Sequence, residues 1–181
     1  GDVIYLGTFS KTLAPGLRLG WIMAPENVIK KCVMAKQGMD LHTSSFTQMV
    51  AYEVAQDNFL DEHKLIIRQV YKERRDVMLA AMDSYFPPEV SWTRPSGGLF
   101  LWVTLPDWMD AADLLKTAVS HKVAFVPGAA FYPNAASGGH NTCRLNFSNA
   151  KPELIIEGIK RLGMVITMAM EQHSVEIECR V

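Results

Sequence analysis

The sequence predicts an α/β protein in two parts, and three observations carry that prediction. An apolar strand, Val3-Ile-Tyr-Leu6, opens the chain; one helical stripe runs unbroken from about Asn58 to Tyr85; and beyond Pro87-Pro88 short strands alternate with helices. This order divides the chain into a strand-and-helix part at 1–57, a connecting helix with a compact α+β part at 58–172, and a tail at 173–181 with no clear role. Hydrophobic residues make up 49% of the 181 positions, enough for a sizeable core and too many for a disordered chain.

Each element has its own warrant. Val3–Leu6 reads as a buried, parallel-type strand with nothing before it to pair with, which suggests a fragment whose neighbouring strands are encoded upstream. Gly20-Trp-Ile-Met-Ala24 is a second strand. Pro25 suits the first position of a helix whose apolar face is Val28, Ile29, Cys32 and Val33. Ser45-Phe-Thr-Gln48 has capping-box spacing and opens a helix through Val50 and Val54. The long third helix carries Ile66, Val70, Val77, Ala81 and Tyr85 on one stripe, and Lys64, Arg68, Lys72 and Arg75 on a face expected to be solvated. Pro87-Pro88 stops it. Strands follow at Val90–Thr93 and Leu99–Thr104, then a helix over Asp110–His121 and strands at Val123–Val126 and Thr142–Phe147. The last helix is expected over Lys151–Met170, with Ile155, Ile159, Leu162 and Ile166 facing the core.

Charge and cysteine usage exclude several function classes. Eighteen basic against nineteen acidic residues give a net charge of −1, so there is no electrostatic case for nucleic acid or an anionic membrane as partner. Three widely spaced cysteines, Cys32, Cys143 and Cys179, fit no zinc pattern and suit a reducing compartment. No stretch is long and apolar enough to span a bilayer and no signal peptide opens the chain, so a soluble cytoplasmic protein is expected. The ten methionines, mostly at helical spacing, read as core filling. His63, His121, His140 and His173 are scattered without a visible partner and are expected on the surface.

One segment stands apart: Gly7-Thr-Phe-Ser-Lys-Thr-Leu-Ala-Pro-Gly-Leu-Arg-Leu-Gly-Trp21 sets a lysine between hydroxyl residues, seven positions before an arginine. It is not a phosphate-binding P-loop, because Ser10 stands where that motif requires glycine. The segment does resemble, in register, the cofactor-lysine motif of fold-type I pyridoxal-phosphate enzymes, within the class I aminotransferases and nearest the 2-aminoadipate and kynurenine branch. The resemblance extends to about residue 172 through KQGMDLHTSSFTQ, RPSGGLFLWVTLP, VAFVPGAAFY and CRLNFSNA, in the family's order and spacing. It implies the large-domain remnant of an aspartate-aminotransferase-like fold at 1–57, followed by the connecting helix and small domain.

The resemblance also implies roles. Lys11 is the lysine that holds pyridoxal phosphate covalently and then shuttles the substrate proton; that chemistry asks for a partly desolvated amine near positive charge. Thr8 and Ser10 donate hydroxyl hydrogen bonds to the phosphate, Arg18 neutralises it with a forked contact, and Gly16 and Gly20 let the backbone bend round the site. Taken alone, Lys11 would read as a surface lysine and Arg18 as a salt-bridge partner. Arg144 clamps the α-carboxylate of amino-acid and 2-oxo-acid substrates, the competing reading being a structural ion pair. Gly97-Gly98 either lets backbone approach the substrate or forms an ordinary turn. His42, Thr43 and Ser44 either reach a homodimer partner's cofactor or cap the next helix. The family's aromatic ring stacked on the pyridine, its O3′ ligands and its pyridine-nitrogen aspartate match no position here, so the chain is expected to be a C-terminal part with an incomplete active site that binds cofactor poorly. The alternative reading is the aminotransferase-like effector domain of a transcription regulator that carries a helix-turn-helix upstream.

Overall fold

The structure is a computed structural model and describes residues 3–133 and 138–179. The chain divides into two compact units, Gly1–Arg68 and Gln69–Val181, with the boundary inside the long helix.

In the first unit, β1 (Tyr5–Thr8) pairs antiparallel with β2 (Gly20–Met23), Thr8 opposite Gly20 and Gly7 opposite Trp21. Gly7 is required there: a Cβ at this position would overlap the Trp21 ring, which also packs on Phe9 with ring centroids 4.9 Å apart. Two helices follow, α1 (Glu26–Met39) and α2 (Ser45–Ala55). The expected helix starts shift slightly. Pro25 caps α1 from outside, and Ser44 rather than Ser45 caps α2, accepting from Thr47 N–H at 3.4 Å, because Ser44 keeps a non-helical backbone. The opening segment departs further from expectation. It is antiparallel rather than parallel, and it is exposed, with Val3 at 78% and Leu6 at 72%. Among the described residues of this unit, only Leu19 and Ala51 are buried apolar side chains, and Cys32 and Val33 on α1 are exposed.

The helix α3 (Phe59–Tyr85) runs into the second unit, which holds the core. Its strands are β3 (Ser91–Trp92), β4 (Phe100–Thr104), β5 (Val126–Pro127) and β6 (Thr142–Asn146), all antiparallel in the order β3–β4–β6–β5. Its helices are α4 (Ala111–Ser120) and α5 (Pro152–Glu178). Alternation along the two central strands decides which side chains go inside. Leu101 and Val103 on β4, with Cys143 and Leu145 on β6, are buried with Met78, Ala81 and Met82 of α3 and Ile155, Ile159, Leu162, Val165 and Ile166 of α5. Each fully buried aliphatic side chain contributes about 1.5–3 kcal/mol. The opposite register positions are Phe100, Trp102 and Thr104 on β4 and Arg144 and Asn146 on β6. Asp110 caps α4, accepting from Ala112 and Asp113 N–H at 2.7 and 3.2 Å.

Three expectations fail along α3 and in the second unit for identifiable reasons. The α3 stripe starts later than its sequence pattern: Ile66 is 62% exposed, and burial begins near Met78. Arg75 is not on a solvated face; its side chain is 16% exposed and donates to Pro95 O at 3.2 Å and Ser96 O at 2.9 Å. The last helix does not stop at Met170, since no glycine or proline interrupts residues 171–178; of the tail expected at 173–181, residues 180 and 181 lie outside the described residues. The four scattered histidines have partners. His63 stacks on Phe59, His121 is hydrogen-bonded with Thr117 O, His140 with Asp107 O, and His173 stacks on Trp108 at 3.8 Å. Among the described residues no helix is long and apolar enough to cross a membrane.

Candidate functional site

The β1–β2 hairpin carries four of the expected residues, Thr8, Ser10, Lys11 and Arg18. Its neck is closed by Phe9 N–H donating to Leu19 O at 3.1 Å. Beyond the neck, Thr12, Leu13 and Ala14 N–H all converge on Phe9 O at 2.8–3.3 Å, which folds residues 10–13 into a tight turn carrying Ser10 and Lys11. A single 3-10 turn, Pro15–Leu17, then leads back to Arg18. Arg18 takes the left-handed conformation, φ 54° and ψ 36°, at a cost of about 1–2 kcal/mol for a residue with a Cβ. Leu41, Asp57, Asn58 and Lys122 also lie in the left-handed region, so this conformation is not peculiar to the loop.

The expectation that Gly16 bends the loop is therefore corrected. Gly16 has neither a positive φ nor a close neighbour, and Arg18 makes the turn instead. Gly20 does allow a close approach, since a Cβ there would lie 3.0 Å from Gly7 O.

The donor set suits an anion. No acidic residue occurs between Val3 and Pro25, and among the described residues neither Lys11 nor Arg18 forms an ion pair. Arg18 spends one N–H on Pro15 O at 3.3 Å, and the Ser10 hydroxyl has no partner among the described residues. Thr8 is differently placed: its hydroxyl donates to Leu19 O at 3.2 Å and accepts from Ser10 N–H at 3.1 Å. That arrangement orients Ser10 and leaves the Thr8 proton committed to backbone. Lys11 is exposed, not partly desolvated as expected, because its turn projects beyond the two-stranded sheet.

Arg144 belongs to the second unit, half-buried at the centre of β6, with Trp102 and Val126 as its cross-strand partners. The competing ion-pair reading finds no acid among the described residues. Aromatic rings take the place of one. The guanidinium carbon lies 4.0 Å from the Phe100 ring centroid and 4.5 Å from that of Phe131, and Phe131 meets Trp102 edge-on at 5.5 Å. The sequence singles out Arg144 but none of these rings, although residues 100 and 102 share a face by the period of a strand.

The other expected positions have the following surroundings within the chain. Gly98 has φ 86° with open space around it. Ser44 caps α2, and Thr43 O accepts from the Gln48 side chain at 3.0 Å. Cys143 lies on the buried face of β6, where desolvation pushes its thiol up to about 12 and makes it unreactive.

The sequence profile of aminotransferase class I and II matches residues 1–162. An uncharacterized aminotransferase of Saccharolobus solfataricus is 50% identical over 166 residues, which are 92% of this chain and 41% of the relative. Aromatic-amino-acid aminotransferase 1 of Thermococcus litoralis is 48% identical over 172 residues, 95% of this chain and 41% of its own. Among solved structures, the α-aminoadipate aminotransferase LysN of Thermus thermophilus, complexed with N-(5'-phosphopyridoxyl)-L-leucine, superposes with a TM-score of 0.88 at 42% identity, covering 94% of this chain and 43% of that one. An uncharacterized HTH-type transcriptional regulator of Bacillus subtilis matches at 34% identity over 166 residues, 92% of this chain and 34% of the regulator. The chain thus spans about two-fifths of the length of the aminotransferases it matches. With the profile covering residues 1–162 and half of 166 aligned residues identical to those of one of its members, the chain belongs to the class I and II aminotransferases.

Proposed function

We propose that this chain is the C-terminal part of a pyridoxal-phosphate-dependent aminotransferase, a cytoplasmic homodimer when whole, that moves an amino group from an amino acid to a 2-oxo acid. The observation that carries the reading is the stretch from Thr8 to Arg18: a lysine, an arginine and three hydroxyls with no acidic residue among them. Bound there, pyridoxal phosphate would supply an electron sink for the substrate α-carbon.

The residues of this chain then divide the work. Arg18 and the Ser10 hydroxyl hold the phosphate, the guanidinium supplying charge and a forked contact. Thr8 joins them by turning its hydroxyl from Leu19 O to a phosphate oxygen. The exchange is favourable, because a charge-assisted hydrogen bond is about twice as strong as the neutral one it replaces. Lys11 Nζ would hold the cofactor covalently and, as a free amine, would carry a proton to and from the substrate α-carbon. Arg144 binds the substrate carboxylate through the edge of its guanidinium.

A regulator's effector domain is the second reading. The match to a helix-turn-helix regulator favours it, at lower identity than the aminotransferases. Both readings share the lysine, so turnover separates them. In the complete protein, Lys11→Ala should abolish the visible absorbance of covalently held cofactor and stop transamination. A borohydride-reducible adduct at another lysine would overturn the assignment, and a wild-type protein that holds cofactor without transaminating any amino acid would favour the regulator.

A further inference from the structure

We infer that Phe131 and Phe100 are positioning residues that hold the Arg144 guanidinium in plane for a substrate carboxylate; the inference rests on the reading of Arg144 given above. A guanidinium has two apolar faces and an edge that carries five N–H donors. Here two rings lie against it: the Arg144 Cζ lies over Phe100 at 4.0 Å and over Phe131 at 4.5 Å. The edge is unspent, since Arg144 makes no side-chain hydrogen bond or ion pair among the described residues. An arginine held this way keeps its charge without an acidic partner, so no resident carboxylate has to be displaced when substrate arrives.

Two features put the rings in position. Phe100 and Trp102 lie on one face of β4, and Trp102 is the cross-strand partner of Arg144. Phe131 comes from another segment, the 3-10 turn Gly128–Phe131, and its place depends on Gly128: a Cβ there would overlap the Thr142 hydroxyl and push the turn off β6. Trp102 then meets Phe131 at 71° and limits its rotation. The consequence is preorganisation. A free arginine side chain loses rotamer freedom when it binds a carboxylate, and one already held by rings loses less.

The test uses the complete protein and follows the Arg144 Nε–Hε signal by NMR, assigned by its loss in Arg144→Lys. In the wild type, ring currents should displace this signal, and pyruvate should shift it while methyl pyruvate, which lacks the carboxylate, should not. Phe131→Leu should return the signal toward a free-arginine position and weaken pyruvate roughly three- to tenfold, the range of a cation–π contact expressed as affinity. Phe131→Tyr keeps the ring and should restore both. Phe131 is 45% exposed, so neither variant removes core packing. Pyruvate binding that shifts Arg144 equally well in wild type and Phe131→Leu overturns the inference and leaves the carboxylate role intact. Equal losses in the leucine and tyrosine variants also overturn it, since the ring would then be irrelevant. No pyruvate shift in the wild type, or an equal shift with methyl pyruvate, overturns the carboxylate reading and this inference with it.

Discussion

Replacing Arg75 by alanine should destabilise the second unit by about 2 kcal/mol, and the value can be assembled from its contacts. Arg75 is 16% exposed and reaches from α3 to the loop before β4, donating from Nη1 to Pro95 O at 3.2 Å and Ser96 O at 2.9 Å. Its Nε and Nη2 also meet Asp76 Oδ1 at 2.8 and 2.6 Å. The three contacts are unequal. Asp76 is 49% exposed and rehydrates when released, so that pair contributes roughly 0.5 kcal/mol or less. Ser96 O is exposed, and water replaces its donor. Pro95 O is partly buried, and leaving it unmade costs about 1 kcal/mol. The packed aliphatic stem adds something of the order of 0.5–1 kcal/mol.

The measurement is hydrogen exchange at the β4 and β6 amides through a urea series, which reports the opening of this unit by itself. Lys72→Ala, an exposed change on the same helix, is the control and should fall within about 0.5 kcal/mol of wild type. Arg75→Lys keeps the stem and the charge but loses the fork, and should land between the two. An Arg75→Ala effect no larger than that of Lys72→Ala would refute the reasoning, because the tether to the 95–96 loop would then carry no energy.

Three further outcomes follow from the site and the core. Arg18→Gly should relieve the left-handed strain, worth up to about 1 kcal/mol in unfolding of the first unit, yet weaken pyridoxal phosphate binding in the complete protein; Arg144→Lys should instead weaken amino-acid and 2-oxo-acid substrates and spare the cofactor. Equal losses of cofactor affinity in both would mean that one arginine is mis-assigned. In the folded chain a thiol reagent at about pH 8 should modify Cys32 and Cys179, which are exposed, and leave Cys143 untouched, with mass spectrometry of the digest as readout. The Cys143 thiol is raised from 9.0 to about 12, so the folded state holds that proton longer than the unfolded chain. Its contribution to stability is intact below about pH 9 and is lost as pH climbs toward 12, visible as a falling urea midpoint that Cys143→Ser should flatten.

What the sequence reveals and what it hides separate along a physical line. The α5 stripe was legible because one helix packs along its length on one core: Ile155, Ile159, Leu162 and Ile166 recur at helical spacing and are all at most 3% exposed. The α3 stripe misled because periodicity records an amphipathic helix but not where packing begins. Ile66 keeps the pattern and stays exposed, whereas Met78 and Met82 take the buried positions. Methionine itself is ambiguous in the same way: Met82 is fully buried, while Met39 is 85% exposed. Arg75 escaped because its partners are the carbonyls of Pro95 and Ser96, and no pattern local to α3 contains them.

The candidate site divides along that line too. Thr8, Ser10, Lys11 and Arg18 fall within eleven consecutive positions, and a local loop can be recognised from its own residues. The loop's shape could not be, because the residue that turns it is an arginine rather than the neighbouring Gly16. A glycine at position 18 would make the same turn without strain. Leu19 and Ala51 are the buried apolar side chains among the described residues of that unit, so its own core offers little to offset a strained residue. Leu41, Asp57, Asn58 and Lys122 share the left-handed region, so the turn at Arg18 does not by itself single out a ligand. What favours the proposed anion site is the residue set of the loop, a lysine, an arginine and hydroxyls with no acid among them.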